Sequence, residues 1–217
     1  EEKKKGGKEF TTDELKKMVN LLDESAKYPS RYWVPLIGLY TGARLNELCQ
    51  LHTDDVYQKD GIWLIDINDN DADTTRKHLK NESSERLIPI HPELIRRGFA
   101  EFVLSRQREC ECPTPMFTDL KHRENHGYRS RLSSWFNNKF KPEFYKGESK
   151  QKNFHSLRYS FIQQCHNQDD PLDDRAVMEL TGHSLTKIGI SSVHKKYAGD
   201  LTPKALYEQI SKLDYGF

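Results

Sequence analysis

A pair of strand-like segments, set among stretches of helical spacing, is the feature that most limits the fold of this chain. Residues 62–67 read Ile-Trp-Leu-Ile-Asp-Ile and residues 86–90 read Arg-Leu-Ile-Pro-Ile, with many aliphatic and β-branched side chains. Pro89 lacks an amide donor, so we expect the second strand to lie at the edge of a sheet. The pattern predicts a mainly α protein with a small antiparallel β-sheet, in the α+β class.

Helical spacing accounts for most of the remaining apolar residues. Thr11 or Thr12 can cap a helix whose first turn is acidic. Aromatic and aliphatic faces predict further helices, and Pro203 suits the first turn of the last one. These helices cover residues 31–40, 92–104, a segment through 135–140, and residues 155–166, 173–180 and 203–213.

The overall charge balance does not by itself indicate a nucleic-acid partner. The chain has 217 residues, with 34 Lys and Arg against 33 Asp and Glu, and a net charge of +1. This length suits one large domain, and a DNA-binding face would have to come from local segregation of positive side chains. No apolar run reaches membrane-spanning length, so we expect no membrane partner. The four cysteines lack zinc-site spacing and indicate reduced thiols without a metal.

A histidine and an arginine within residues 153–161 form the first candidate site. His155 and Arg158 are three residues apart, which places both side chains on one face of the predicted helix. A guanidinium supplies two parallel donors, and an imidazole supplies another donor or a proton, so the pair suits a phosphate group. The same spacing also occurs on structural and surface helices, and by itself it does not identify a site.

Arg44 is the second candidate. Gly42 permits a sharp turn between helices. Arg44 follows near a helix start, where the backbone N–H groups already favour an anion. The alternative is a surface ion pair between Arg44 and Glu47, three residues further along.

Positive charge is concentrated between residues 121 and 158, next to the first candidate site. Such a cluster suits contacts to the DNA backbone, which position a protein without reading sequence. A merely solvated face is the alternative. Lys77, in the polar loop between the two predicted strands, is a further candidate for reaching DNA. The predicted DNA-binding residues are Lys77, Lys121, Arg123, Arg129, Arg131, Lys139 and Lys152.

Five pieces of the chain, taken in order, resemble the catalytic domain of the tyrosine recombinases, the phage-integrase family. The pieces are residues 41–48 (Thr-Gly-Ala-Arg-Leu-Asn-Glu-Leu), Lys80 before residues 86–90, residues 155–158 (His-Ser-Leu-Arg), residues 181–184 (Thr-Gly-His-Ser), and Lys196 with Tyr197. Each is weak alone, but their order and spacing fit the family over residues 10–210. The resemblance implies a mostly helical domain with a small sheet, which agrees with the fold class predicted above.

The resemblance implies that four residues form the site of the scissile phosphate. Arg44 and Arg158 would bind its non-bridging oxygens, where negative charge grows in the transition state. His155 would position or deprotonate a group in that site. His183 would add a hydrogen bond to the phosphate.

Two further residues would act on the bond that breaks. The resemblance makes Tyr197 the nucleophile, which would form a 3′-phosphotyrosyl link, and makes Lys80 the donor of a proton to the leaving 5′-oxygen. The interval before Tyr197 is longer than the family's usual one, which leaves Tyr207 and Tyr215 as alternatives, although neither follows a basic pair. Lys77 is the alternative proton donor. Lys80 is preferred because its offset from Pro89 in the second strand fits the family better.

The resemblance implies site-specific DNA recombination or integration, with no cofactor and no metal. The partner would be double-stranded DNA, with a monomer assembling into a tetramer on paired sites. The expected location is the cytoplasm, with the nucleoid, in a prokaryotic or phage system. Two alternatives use the same fold: a type IB-like topoisomerase, and a DNA-binding module without catalysis.

The predicted domain organisation has two parts. We interpret residues 1–8 as a linker or boundary and residues 9–217 as the catalytic domain. The family's DNA-gripping domain, which precedes the catalytic one, is expected to be absent from this chain. The chain would then be a fragment of a longer protein.

Overall fold

A computed structural model describes residues 8–24, 27–70, 77–79, 85–109, 113–147, 151–184 and 199–217. In chain order the helices are α1 (Thr12–Leu21), α2 (Pro29–Thr41), α3 (Leu45–Cys49), α4 (Pro92–Arg96), α5 (Phe99–Arg108), α6 (Arg129–Trp135), α7 (Lys141–Phe144), α8 (His155–Asn167), α9 (Asp174–Thr181) and α10 (Pro203–Ile210). The strands are β1 (Val56–Lys59), β2 (Ile62–Ile67) and β3 (Arg86–Pro89). A 3-10 turn (Thr53–Asp55) precedes β1, and a π-helical turn (Phe136–Phe140) joins α6 to α7.

The sheet has the order β1-β2-β3, and both neighbouring pairs are antiparallel. Pro89 lies opposite Leu64, and β3 is an edge strand, as Pro89 predicted. The sequence interpretation missed β1, whose one fully buried residue, Val56, gives no alternating pattern. Asp60 and Gly61, with φ of 51° and 78°, form the turn between β1 and β2. The predicted fold class, mainly α with a small antiparallel sheet, is confirmed.

The predicted helices are present, with changed boundaries at several ends. Thr11 caps α1, because its hydroxyl accepts from the Glu14 amide (3.3 Å) while the Glu14 carboxylate accepts from the Thr11 amide (2.9 Å). The helix predicted over residues 92–104 is divided into α4 and α5 by Gly98, whose φ is 88°. The last helix ends at Ile210 instead of residue 213. No helix in the described ranges is long and apolar enough to cross a membrane.

Helix α2 runs through the core and sets the position of α8. Residues 32–41 of α2 are all buried. Gly38 allows close packing, since a Cβ at this position would lie 2.9 Å from the Phe154 ring that precedes α8. The Phe136 ring lies 5.1 Å from the Phe154 ring, so the predicted aromatic face of α6 and the π-helical turn packs on the same region. The start of α8, which carries His155 and Arg158, is therefore fixed from two sides.

Candidate active site

The buried guanidinium of Arg158 joins three of the five sequence motifs. Arg158 is 3% exposed. Its Nη1 donates to the Gly42 carbonyl (2.7 Å), and its Nη2 donates to the Thr181 carbonyl (2.5 Å). Nη2 also lies 3.0 Å from Nε2 of His183. The turn before Arg44, the start of α8 and the end of α9 therefore meet around one positive charge.

Two glycines at helix ends make this convergence possible. Helix α2 ends at Gly42 (φ 64°, ψ 12°) and α9 ends at Gly182 (φ 64°, ψ 41°), both in the left-handed region. A Cβ on Gly42 would lie 2.6 Å from the Phe161 ring of α8, so this close approach requires glycine. Arg158 then satisfies backbone acceptors at both helix ends, which otherwise lack partners within the helix.

The contacts of His183 identify the proton-bearing ring nitrogen. A guanidinium only donates, so Nε2 of His183 accepts from Arg158. The other ring nitrogen, Nδ1, lies 3.0 Å from Oγ1 of Thr181, which itself donates to the Val177 carbonyl at 2.6 Å. We therefore assign the proton to Nδ1.

Glu47 connects Arg44 to Arg86. Arg44 precedes α3 and places Nη1 2.6 Å from Oε1 of Glu47, while its amide donates to Oε2 at 2.8 Å. Arg86, the first residue of β3, donates from Nη2 to the same Oε2 (2.8 Å) and from Nε to the Leu180 carbonyl (2.9 Å). The Arg44–Glu47 pair considered as a surface alternative does form. However, Glu47 is only 4% exposed and is shared with β3, so the pair is part of a buried network.

Burial and neighbouring positive charges shift the pKa values of the site residues in ways that favour binding of an anion. Desolvation, followed by Arg44 and Arg86, lowers the pKa of Arg158 to about 9, which leaves it charged at neutral pH. Desolvation, followed by Arg158 and Arg44, lowers the pKa of His155 below 6.5, so its imidazole is neutral and can accept a proton. Burial alone would raise the pKa of Glu47, but Arg86 and Arg44 lower it overall. A bound anion would reduce the repulsion among the guanidinium groups.

An open cleft of about 900 Å³ lies beside these residues. Arg44 and His155 both line it, so candidate ligands from two separate motifs face the same space. Arg129, at the start of α6, lines the cleft, as do several residues of the loop 122–127. Guanidinium and imidazole groups thus line the same cleft.

The exposed residues among the predicted DNA-binding set differ in their relation to the cleft. Arg129 is exposed and lines it. Arg131 is exposed as well, but its guanidinium lies 5.4 Å from the centre of the Tyr28 ring. Three more of the predicted residues are exposed in the chain segments that contribute to the cleft, namely Lys121, Arg123 and Lys139.

Lys77 and Lys152 lie inside the protein. They are 6% and 8% exposed. The Nζ of Lys77 is 2.8 Å from Asp55, and the Nζ of Lys152 is 2.9 Å from Glu14. Because both ammonium groups face carboxylates, the DNA-binding surface proposed below leaves these two lysines out.

Lys80 and Tyr197 lie outside the described residues, so their positions in the site stay predictions. Of the two alternative nucleophiles, Tyr215 is a core residue whose hydroxyl donates to the Leu39 carbonyl at 2.8 Å. Burial raises the pKa of Tyr215 well above 10, which opposes formation of the phenolate. Tyr207, on α10, is half-buried against the core. The placement of Tyr215 argues against its use as the nucleophile.

The sequence interpretation missed the contribution of Arg86, which was assigned only to a strand. Its partner Glu47 is 39 residues away in the chain, and no local pattern connects the two. Three histidines of the cleft, His78, His122 and His126, were likewise not predicted as site residues. Their positions depend on the folding of loops, which side-chain periodicity does not report.

The structure gives no candidate metal centre among its described residues, where no three His, Cys, Asp or Glu side chains are grouped to hold an ion. Cys49 and Cys165 are buried free thiols. Burial raises the pKa of the Cys165 thiol to about 12, so it is unsuited to act as a nucleophile or ligand.

Solved structures with a similar fold include several recombinases. XerA recombinase has a TM-score of 0.57 and 17% identity, with 98% of this chain and 65% of that chain covered. XerH site-specific recombinase bound to difH substrate has a TM-score of 0.56 and 19% identity, with 90% and 53% covered. The Tn1549 transposon integrase in complex with transposon right end DNA has a TM-score of 0.56 and 17% identity, with 98% and 68% covered. This chain thus spans less than two-thirds of the first two proteins, and at these identities the likeness establishes the fold.

Sequence comparison gives the family directly. No curated protein matches the chain. The family model described as the phage integrase family matches residues 8–198, which is most of the sequence and includes all five motifs. The chain therefore belongs to the phage integrase family.

Proposed function

We propose that this chain is the catalytic domain of a site-specific DNA recombinase or integrase, which cuts and rejoins DNA through a 3′-phosphotyrosyl intermediate. The observation that carries the proposal is that the buried Arg158 guanidinium joins the motifs of Arg44 and His183, while Arg44 and His155 line one open cleft. A phosphodiester under attack gains negative charge on its equatorial oxygens. Positive donors fixed at those oxygens lower the barrier, and each is worth about 3 to 4 kcal/mol by analogy with an oxyanion hole.

The reaction would proceed by exchange of one phosphate ester for another. Oη of Tyr197 attacks phosphorus, the bond from phosphorus to the 5′-oxygen breaks, and a phosphotyrosyl ester forms. Tyrosine has a pKa of about 10, so its proton needs an acceptor, and the neutral imidazole of His155 suits that task. Lys80 supplies the proton that the leaving 5′-oxygen takes up. The covalent ester retains the bond energy, so we assign no nucleotide cofactor and no metal to rejoining.

His183 must change its hydrogen bonding when the phosphate binds. In the proposed complex its Nε2 donates to a non-bridging oxygen. In the free protein that nitrogen accepts from Arg158. Phosphate binding would therefore be coupled to the arrival of a proton at Nε2, by tautomer exchange or by protonation.

The proposed partner is double-stranded DNA, bound across the cleft. Arg129 contributes from the cleft wall, and the exposed residues Lys121, Arg123 and Lys139 contact backbone phosphates nearby. Of the proteins that share this fold, XerH is bound to difH substrate and the Tn1549 integrase is in complex with transposon right end DNA. We propose further that the chain is a monomer without DNA, assembles as a tetramer on paired sites, and works at the nucleoid of a prokaryotic or phage system.

The test is covalent capture on DNA. The chain is incubated with a pool of nicked duplexes whose sequence is randomised around the nick, so that the cleaved fragment diffuses away and the phosphotyrosyl product accumulates. Denaturing gels separate protein–DNA adducts, and sequencing of the trapped DNA gives the site. We expect Tyr197→Phe to abolish capture because it removes the attacking oxygen, while Tyr207→Phe and Tyr215→Phe retain it.

Other outcomes would redirect the assignment. Capture that survives Tyr197→Phe and is lost in Tyr207→Phe would move the nucleophile to α10. DNA binding without capture by the wild-type chain would favour a module that keeps the fold without the chemistry. Relaxation of supercoiled plasmid by a monomer, with no requirement for paired sites, would identify a type IB-like topoisomerase.

A further inference from the structure

Lys77 forms an ion pair with Asp55 in the interior of the protein. Its Nζ lies 2.8 Å from both carboxylate oxygens of Asp55 and 3.1 Å from Oδ1 of Asn68. The two charged side chains are 2% and 6% exposed. A lysine held by three acceptors in this way has to give up all three before it can reach DNA, so its burial indicates an internal role.

Asp55 is itself fixed to both ends of the first hairpin. Its Oδ2 accepts from the His52 amide (2.6 Å), ahead of β1, and its Oδ1 accepts from Nδ2 of Asn68 (2.9 Å), just beyond β2. These two hydrogen bonds position the Asp55 carboxylate independently of Lys77. Lys77 therefore attaches the β2–β3 connection to the two ends of the β1–β2 hairpin.

The two residues after Lys77 are anchored as well. The His78 amide donates to Oε1 of Gln50 (3.1 Å), and the same oxygen accepts from Nδ2 of Asn46 (3.0 Å) on α3. Leu79 is 5% exposed and belongs to the core. Three successive residues of the connection are therefore anchored: Lys77 to the hairpin, His78 to the end of α3, and Leu79 in the core.

We propose that Lys77 is a positioning residue that fixes the point from which the chain reaches Lys80. The inference rests on the proposed role of Lys80 as the proton donor to the 5′-oxygen. Lys80 directly follows Leu79, so its Cα lies about 3.8 Å from an anchored Cα. A proton donor must come within about 3 Å of its acceptor. The Lys77–Asp55 pair therefore holds in place the residues from which the chain continues to Lys80.

The experiment compares two versions of the duplex recovered by covalent capture. One has the normal 5′-oxygen at the scissile phosphate. The other has a bridging 5′-sulfur, which leaves as a thiolate without a proton because a thiol has a pKa of only about 8.5. In both, a bond from phosphorus to Tyr197 forms and the bond to the leaving atom breaks. A defect confined to the oxygen substrate therefore reports a failure of proton donation.

We expect Lys77→Met to slow cleavage of the oxygen substrate by about 10- to 100-fold, as a displaced catalytic group would. Cleavage of the sulfur substrate should stay near the wild-type rate. Lys80→Met, measured in parallel, should slow the oxygen substrate by about 10²- to 10⁴-fold and spare the sulfur substrate. Lys152→Met is the matched control, because it also removes a buried, ion-paired lysine. Any defect in that variant should affect both substrates equally.

Each other result has a defined meaning. Equal slowing of both substrates by Lys77→Met would show a merely structural lysine and overturn the inference, while the role of Lys80 would stand. A Lys80→Met variant without selective loss would remove the proposed role of Lys80, and the inference with it. If Lys77→Met does not fold, Gln50→Met decides by the same criterion, since it deletes the acceptor of the His78 amide without leaving a buried charge.

Discussion

Glu47 sets the relative position of two arginines with one side chain. Its carboxylate contacts Arg44, which faces the cleft, and Arg86, which begins β3. The Arg44 half of this network follows from the sequence, because residues three apart on a helix are neighbours. The Arg86 half joins a helix to a strand 39 residues away, and only tertiary packing brings these groups together.

Replacing Glu47 by Gln should destabilise the fold in a pH-dependent way. Removing one partner of a buried ion pair costs about 3 kcal/mol or more, because the remaining charge is left uncompensated. The arginines lower the pKa of Glu47 below 4.5, so its stabilisation is fully present above that pH and is lost as the pH falls toward its folded-state value. Urea unfolding of both proteins should therefore show a large gap in unfolding free energy near neutral pH that narrows in acid.

Glu93→Gln is the control for that comparison. Glu93 also pairs with two arginines, which lower its pKa, but it is only partly buried, and its partner Arg96 has a side chain that is 71% exposed. Exposed pairs are worth about 1 kcal/mol or less. A similar loss in both variants at neutral pH would mean that the Glu47 network is no stronger than a surface pair.

At the scale of elements, the ends of helices were partly predictable from the sequence. The helix predicted over residues 173–180 ends at Thr181, and Gly182 follows it in the left-handed conformation. Gly98 was overlooked, and it divides one predicted helix into α4 and α5. The strand β1 was also missed, although Asp60 and Gly61 form a turn typical of hairpins. The first error came from following apolar periodicity across a residue whose backbone conformation ends a helix, and the second from the lack of an alternating pattern in β1.

Gly42→Ala should disturb the site through the packing of α2 on α8. Alanine at φ 64° is strained, and its Cβ would lie 2.6 Å from the fully buried ring of Phe161. Together these effects should cost about 2 to 4 kcal/mol of unfolding free energy. Because the Gly42 carbonyl accepts from Arg158, any shift of this turn also moves that guanidinium. Thermal melting gives the stability loss, and covalent capture on DNA gives the effect on the site.

Gly61→Ala is the control that separates the backbone strain of Gly42→Ala from its steric clash with Phe161. Gly61 has a φ of 78°, but a Cβ there would meet nothing within 4 Å. Its substitution should cost only the backbone strain, about 1 to 2 kcal/mol, and should leave covalent capture unchanged. Equal losses of stability in the two variants would show that Phe161 can move aside and that Gly42 is required only for its backbone angle.

At the scale of the whole molecule, charge placement matters more than net charge. The chain carries a net charge of +1, yet guanidinium and imidazole groups share one cleft. The sequence identified the basic region but did not distinguish exposed cations from buried ones. In the sequence, Lys77 and Lys152 are cationic residues of polar segments, as Arg129 is. Only the fold shows that each of the two lysines faces a carboxylate. Burial of a charge depends on a partner that is distant in sequence, which local charge counts do not reveal.

The placement of cations predicts how salt affects DNA binding. Each phosphate contact releases condensed counterions, so log K falls with log salt concentration. The magnitude of this negative slope becomes smaller by about 0.9 for each contact that is lost. Arg129 lines the cleft, so Arg129→Ala should weaken binding to DNA of any sequence and reduce the slope by about one. Fluorescence anisotropy of a labelled duplex, titrated at several salt concentrations, measures both quantities.

Arg131→Ala is a demanding control, because it removes the same charge two residues away on the same helix. The Arg131 guanidinium lies against the Tyr28 ring, so its loss should leave the slope within error of the wild-type value. Both variants lower the net charge by one, so equal changes in slope would mean that DNA responds to total charge, and the proposed path across the cleft would be wrong. A change confined to Arg129→Ala would place the backbone of the DNA along α6, next to the Arg44 and His155 that we assign to the scissile phosphate.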